Sequence, residues 1–161
     1  MPKNSAIIFR EYDLAVDERE KMAREILVLC RGLGHKMLVG KNLELARKIK
    51  ADGVHFSDKD GLLWQNFQRK NLPQKFIFSL ACHNFLSVVK SQKTKADLIF
   101  VSPVFKTKSH PNLEPLGLMK FGKIVAASQI PIFALGGVNE KNFLNLKKLG
   151  AVGFGAIDQF I

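Results

Sequence analysis

Seven short runs rich in apolar residues, at 6–9, 36–39, 54–56, 76–78, 98–101, 132–135 and 152–155, recur along the chain and are separated by longer, more polar stretches. Runs of this length without in–out alternation suit strands covered on both faces, as in a parallel sheet. The intervening stretches carry the period of a helix. Met22, Ile26, Leu29 and Leu33 stand at i, i+4, i+7 and i+11, which predicts an amphipathic helix with that face inward. Asp17 with Glu20 resembles a capping box at its start, and Gly32 or Gly34 ends it. A second helix is predicted to open at Asn139, to bury Phe143, Leu146 and Leu149, and to stop at Gly150, with Lys147 and Lys148 against the negative end of its dipole. Weaker helical patterns cover 43–50, 61–69, 84–95 and 117–128.

Strand and helix in steady alternation make an α/β chain with a parallel sheet. Both an open doubly wound sheet and a TIM-barrel-like (β/α) fold satisfy that order. Polar or glycine-rich loops follow several strands, which is where barrel sites assemble, and this favours the barrel. With 161 residues the chain falls below the roughly 200 usual for a complete barrel. The expectation is an incomplete barrel of about seven parallel strands in a single domain, 1–161.

Composition narrows the function classes. No apolar run approaches the ~20 residues that span a bilayer, which excludes a membrane-spanning segment. The apolar stretch within MPKNSAIIFREYD is too short for a secretion signal, so the expected compartment is cytoplasmic. Cys30 and Cys82 lack zinc spacing and are expected to be reduced core thiols. His35, His55, His83 and His110 share no short ligand spacing, and His55 reads as a core residue. The net charge of +11, from 25 Lys+Arg against 14 Asp+Glu, favours anionic partners. The lysines are scattered instead of lying in a stripe with interleaved aromatics, so nucleic acid is not the expected anion.

Two segments carry chemistry. In Pro131-Ile-Phe-Ala-Leu-Gly136-Gly137-Val-Asn139, a buried strand runs through two residues without side chains into a helix N-terminus. Backbone N–H groups can approach a phosphate there, although a tight turn alone would also select Gly-Gly. In Val101-Ser102-Pro103-Val104-Phe105-Lys106-Thr107-Lys108-Ser109-His110-Pro111, a strand leads into a loop of hydroxyls and cations, which suits phosphate oxygens or a solvated turn.

These segments, with Asp52-Gly-Val-His-Phe56 followed by Asp60, Ala81-Cys-His83 and Pro115-Leu-Gly-Leu118, occur in the order found in thiamine phosphate synthase and its thiazole tautomerase relatives. The chain resembles that family from Ala6 to Phe160. The resemblance implies a TIM barrel that joins a pyrimidine methyl diphosphate to a thiazole phosphate. The diphosphate departs early, and the thiazole nitrogen captures the resulting carbocation. It implies a magnesium ion, and it implies Arg10 on the diphosphate, His83 near the substrates and Asp60 as a metal ligand. Thr107 and Ser109 are implied on diphosphate or thiazole phosphate, and Gly136 with Gly137 as the thiazole-phosphate cradle. Phosphorylated small molecules are the implied partners.

The departures are specific. Where the family has Gln-x-Arg-x-Lys, this chain has Ile8-Phe9-Arg10-Glu11-Tyr12, and the Asn-Asp pair after the next strand reads Gly40-Lys41. Lys41 thereby replaces a metal-binding aspartate and becomes a candidate phosphate contact, which puts magnesium in doubt. Ala81 replaces a serine, His110 a lysine and Asp158 a serine. The tautomerase's histidine is expected in the 102–105 loop, which has none. A catalytically degenerate paralogue that binds a phosphorylated thiamine-related metabolite is therefore the alternative reading. The chain starts at what resembles the family's second strand, and an uncovered strand edge predicts self-association into a homo-oligomer.

Overall fold

A computed structural model describes residues 5–57, 59–60, 72–107 and 113–157. The strands are β1 (Ala6–Phe9), β2 (Lys36–Gly40), β3 (Gly53–Ser57), β4 (Ile77–Cys82), β5 (Leu98–Val101), β6 (Ile132–Ala134) and β7 (Gly153–Phe154). The helices are α1 (Val16–Gly32), α2 (Leu43–Lys48), α3 (Phe85–Ser91), α4 (Gly117–Ala127) and α5 (Glu140–Lys148). All seven expected strands are present, and within each unit neighbouring strands pair in chain order and parallel. This is the β/α order of an incomplete TIM-barrel-like chain. The helix expected at 61–69 lies outside the described residues.

The chain forms two compact units, Met1–Phe56 with Gln68–Phe78 and Ser57–Phe67 with Ser79–Ile161. In the first, β1 pairs with β2 from Ala6↔Lys36 to Phe9↔Val39, and β2 pairs with β3 from Leu38↔Gly53 to Gly40↔His55. Phe9, Met37, Val39, Val54 and Phe56 are buried along these strands, and the Phe56 and Phe78 rings meet edge to face at 5.9 Å. Gly53 is required because a side chain there would strike the Ile77 carbonyl. The Asp52 carboxylate accepts the Met37 N–H at 2.8 Å and ties the loop before β3 back to β2.

Helix α1 corrects the expected burial face. Ala23, Leu27 and Cys30 are buried, while Leu29 is 65% and Leu33 71% exposed. The buried set has the same i, i+4, i+7 spacing, but it is rotated toward smaller side chains that permit close approach to the sheet. The cap differs as well. Ala15 is the N-cap and gives no side-chain hydrogen bond, and Asp17 lies inside the first turn. Glu20 instead binds Arg24 at 2.8 Å and Lys48 at 2.5 Å.

In the second unit β4 to β7 pair in sequence, with Leu80, Ile99, Val101, Ile132, Ala134, Phe121, Ile124 and Leu146 in the core. Helix α5 starts at the expected cap. Asn139 Oδ1 accepts the Asn142 N–H at 3.0 Å, Asn142 Oδ1 accepts the Asn139 N–H at 2.8 Å, and Gly150 follows the helix with φ +99°. Leu146 is buried, and the Phe143 and Phe154 rings pack at a tilt with centroids 4.9 Å apart. Leu149 is more exposed than expected because it lies past the last full turn, over Gly122 of α4. Cys30 and Cys82 are both buried thiols outside any disulfide, and burial raises the pKa of Cys30.

Candidate functional site

In each unit, parallel pairing sends the C-terminal ends of neighbouring strands the same way, so the residues that follow them share one edge. At that edge of the first unit, Arg10 follows β1 and Lys41 follows β2. They meet at Tyr12. The Arg10 guanidinium lies 5.6 Å from the Tyr12 ring centroid, the Lys41 ammonium 5.4 Å, and a third cation, Arg19 of α1, 5.3 Å. Arg19 also lies 5.8 Å from the Phe9 ring and donates to the Gly40 carbonyl at 2.8 Å, while its Nε is buried with no hydrogen-bond partner. A Cβ on Gly40 would collide with the Tyr12 hydroxyl, so the open space at position 40 is the space the phenol needs.

Lys41 adopts a left-handed backbone, φ +58°, and its N–H donates to the His55 carbonyl at 2.8 Å. His55 on β3 is half-buried. Burial, followed by the charge of Arg10, lowers its pKa from 6.5 to about 4, so it is neutral at physiological pH and leaves the charge of this edge to Lys and Arg.

The corresponding edge of the second unit carries His83 after β4, Ser102 after β5 and the Gly136–Gly137 pair after β6. His83 is exposed, with Nδ1 at 2.9 Å from the Ser102 carbonyl and 3.4 Å from its hydroxyl. A carbonyl only accepts, so Nδ1 carries a proton and donates it to Ser102. The Ser102–Pro103 peptide is cis, and the loop beyond it is pinned to the glycine turn. Val104 N–H donates to the Leu135 carbonyl at 2.9 Å and Phe105 N–H to the Gly136 carbonyl at 3.0 Å.

Gly136 and Gly137 have φ of +88° and +65°. A Cβ on Gly136 would meet Pro103 Cα at 2.8 Å, and one on Gly137 would strike the Lys106 carbonyl. The turn thus packs on the loop that leads into Thr107, and Asn142 Nδ2 donates to the Gly137 carbonyl at 2.9 Å. Among the described residues, the N–H groups of Gly136, Gly137 and Val138 have no acceptor. They precede the N-terminus of α5, where the helix dipole adds attraction for an anion.

Asp60 is helical, its carboxylate accepting from Ser57 Oγ at 2.7 Å while its N–H donates to the same oxygen at 3.3 Å. Ser109, His110 and Asp158 lie outside the described residues. Magnesium needs oxygen ligands in octahedral array. Where the resemblance implies its second carboxylate, this chain presents the Lys41 ammonium, and among the described residues no three His, Cys, Asp or Glu side chains gather. Among the described residues, the side chains do not fit a protein-held magnesium ion.

Sequence reasoning read Tyr12 only as a lost lysine and missed Arg19. The signal for Arg19 was its place in the first turn of α1, where a cation opposes the helix dipole and needs another reason to be there.

The sequence matches the thiamine monophosphate synthase family over residues 3–160. It is 32% identical over 155 residues to an Aquifex aeolicus protein described as "Putative thiamine-phosphate synthase 2", covering 94% of this chain and 80% of that one. It is 37% identical over 130 residues to a thiamine-phosphate synthase of Prochlorococcus marinus, covering 81% of this chain but 36% of the longer relative. In solved structures, the fold is shared with thiamine phosphate pyrophosphorylase from Pyrococcus furiosus. The TM-score is 0.75 and the identity 23%, over 95% of this chain and 72% of that one.

Proposed function

The chain belongs to the thiamine monophosphate synthase family, and from that membership we propose that it is a transferase of thiamine biosynthesis, acting as one domain on phosphorylated small molecules. It joins a pyrimidine methyl diphosphate to a thiazole phosphate. The carbon–oxygen bond to the diphosphate breaks, the electron pair leaves with the diphosphate, and the thiazole nitrogen donates its lone pair to form the new carbon–nitrogen bond.

The observation that carries this reading is the Gly136–Gly137 turn, with three successive N–H groups lacking an acceptor among the described residues beside a helix N-terminus. Such a turn holds a phosphate by its backbone. Thr107, and Ser109 beyond it, supply hydroxyls for the same oxygens, and Arg10 and Lys41 stabilise the departing diphosphate as its charge develops. His83 orients the substrates through its Nε2. Binding both substrates to one protein lowers the barrier without an acid or base at the reacting carbon. The test is formation of thiamine phosphate with stoichiometric pyrophosphate by purified protein. Folded protein giving no product above background overturns the reading.

The second reading is a degenerate paralogue that binds the phosphorylated product or a precursor without turnover. It is favoured by the replacements at Ile8, Tyr12, Gly40, Lys41 and Ala81. Calorimetric binding of thiazole phosphate or thiamine phosphate in the absence of any turnover supports it.

A further inference from the structure

The substitutions at positions 12, 40 and 41 fit one another. Tyr12 occupies the space that any side chain at 40 would fill, its ring gathers Arg10, Arg19 and Lys41 within 5.6 Å, and the Gly40 carbonyl holds Arg19 in place. Random loss of function would not assemble three like charges around one ring, because each adds repulsion that about 0.5–1 kcal/mol of cation–π attraction per pair only partly offsets. Neither Arg10 nor Arg19 is ion-paired among the described residues. An arrangement of this kind gains stability when a polyanion enters it, since guanidinium groups bind phosphate oxygens in pairs.

We propose that the C-terminal ends of β1 and β2 form a diphosphate subsite that works without a divalent cation, in which Arg19 and Lys41, collected with Arg10 on Tyr12, supply the charge that magnesium supplies elsewhere in the family. This rests on the proposed function for the identity of the anion. It departs from the family pattern in assigning Arg19 a binding role and in making the metal dispensable.

Inorganic pyrophosphate is the probe, titrated calorimetrically into the full chain with EDTA and, separately, with excess magnesium. The expected result is equal or tighter binding in EDTA, since free magnesium competes for the probe. Arg19→Gln should weaken binding in EDTA by roughly 10-fold or more, the size of a lost charge-assisted contact. Lys41→Asp should weaken it in EDTA and restore part of it on adding magnesium. Binding by the unmodified chain only when magnesium is present overturns the proposal, and so does unchanged affinity in a folded Arg19→Gln protein. The comparison of EDTA with magnesium needs no variant, so a misfolded substitution leaves the test intact. Metal-free binding of pyrophosphate without thiamine phosphate synthesis would sink the proposed function and leave this subsite standing. Synthesis with strictly magnesium-dependent pyrophosphate binding would do the reverse.

Discussion

Tyr12 and Gly40 share one volume: the phenol hydroxyl lies where a Cβ at position 40 would be, and the Phe9 carbonyl is 3.1 Å from the same point. Tyr12 is 39% exposed and can swing outward. Gly40→Ala is therefore expected to cost less than about 1 kcal/mol of stability while displacing the ring and weakening pyrophosphate binding. In a Tyr12→Phe background, where the hydroxyl is gone, Gly40→Ala should lower affinity less. Calorimetry on the two single variants and the double variant measures that coupling.

The glycines of the β6 turn should be far less tolerant. At Gly137 an added Cβ meets backbone and is combined with a left-handed φ of +65°, so Gly137→Ala is expected to cost about 2–4 kcal/mol. Gly117 has φ +66° but nothing within 4 Å of its Cβ direction, and Gly117→Ala should cost only about 1 kcal/mol. Urea unfolding of both variants separates collision from backbone strain. Equal costs would contradict the packing of Gly137 on the 105–106 backbone.

His55 predicts an acid-labile contribution. Its pKa is lowered from 6.5 to about 4 in the folded chain, so between those values the unfolded chain takes up a proton that the folded chain does not. Stability is therefore lost as pH falls through this window, by up to about 3 kcal/mol, and the loss levels off below it. His55→Gln should flatten urea midpoints over that range. An unchanged pH slope in the variant would assign the acid sensitivity elsewhere.

His83 is exposed, so removing it should barely affect folding. His83→Asn is expected to change stability by less than about 1 kcal/mol but to lower kcat on the order of 10-fold to 100-fold with a smaller change in KM. Steady-state kinetics of thiamine phosphate formation, beside a thermal melt, reads both. Full activity in the variant removes His83 from the site.

Helix α1 offers a direct test of the corrected face. Leu27 is 3% exposed and Leu33 71%. Leu27→Ala should cost about 2–4 kcal/mol, and Leu33→Ala less than about 0.5 kcal/mol. The opposite ranking would restore the face expected from the positions of the larger side chains.

Much of this molecule could be read in one dimension because its causes are local. The apolar run at 36–39 is a strand whose residues 37–39 are buried in succession, on both faces, and Asn139 caps α5 through a hydrogen bond to a residue three positions away. The Gly136–Gly137 turn was legible for the same reason, a need for positive φ between a strand and a helix. The inward face of α1 was not. Met22, Leu29 and Leu33 carry as much apolar surface as Leu27, and periodicity alone does not say which stripe a sheet will cover.

The cation cluster was hidden for a stronger reason. Arg19 and Lys41 are 22 positions apart, and Tyr12 looked like a missing lysine until β1 and β2 paired and α1 returned over their ends. Local chemistry settled the elements and the Gly136–Gly137 turn, because each depends on neighbours a few residues away. The assembly of Arg10, Arg19 and Lys41 on one ring arises from long-range packing, in which the absence of a side chain at Gly40 makes room for the ring of Tyr12.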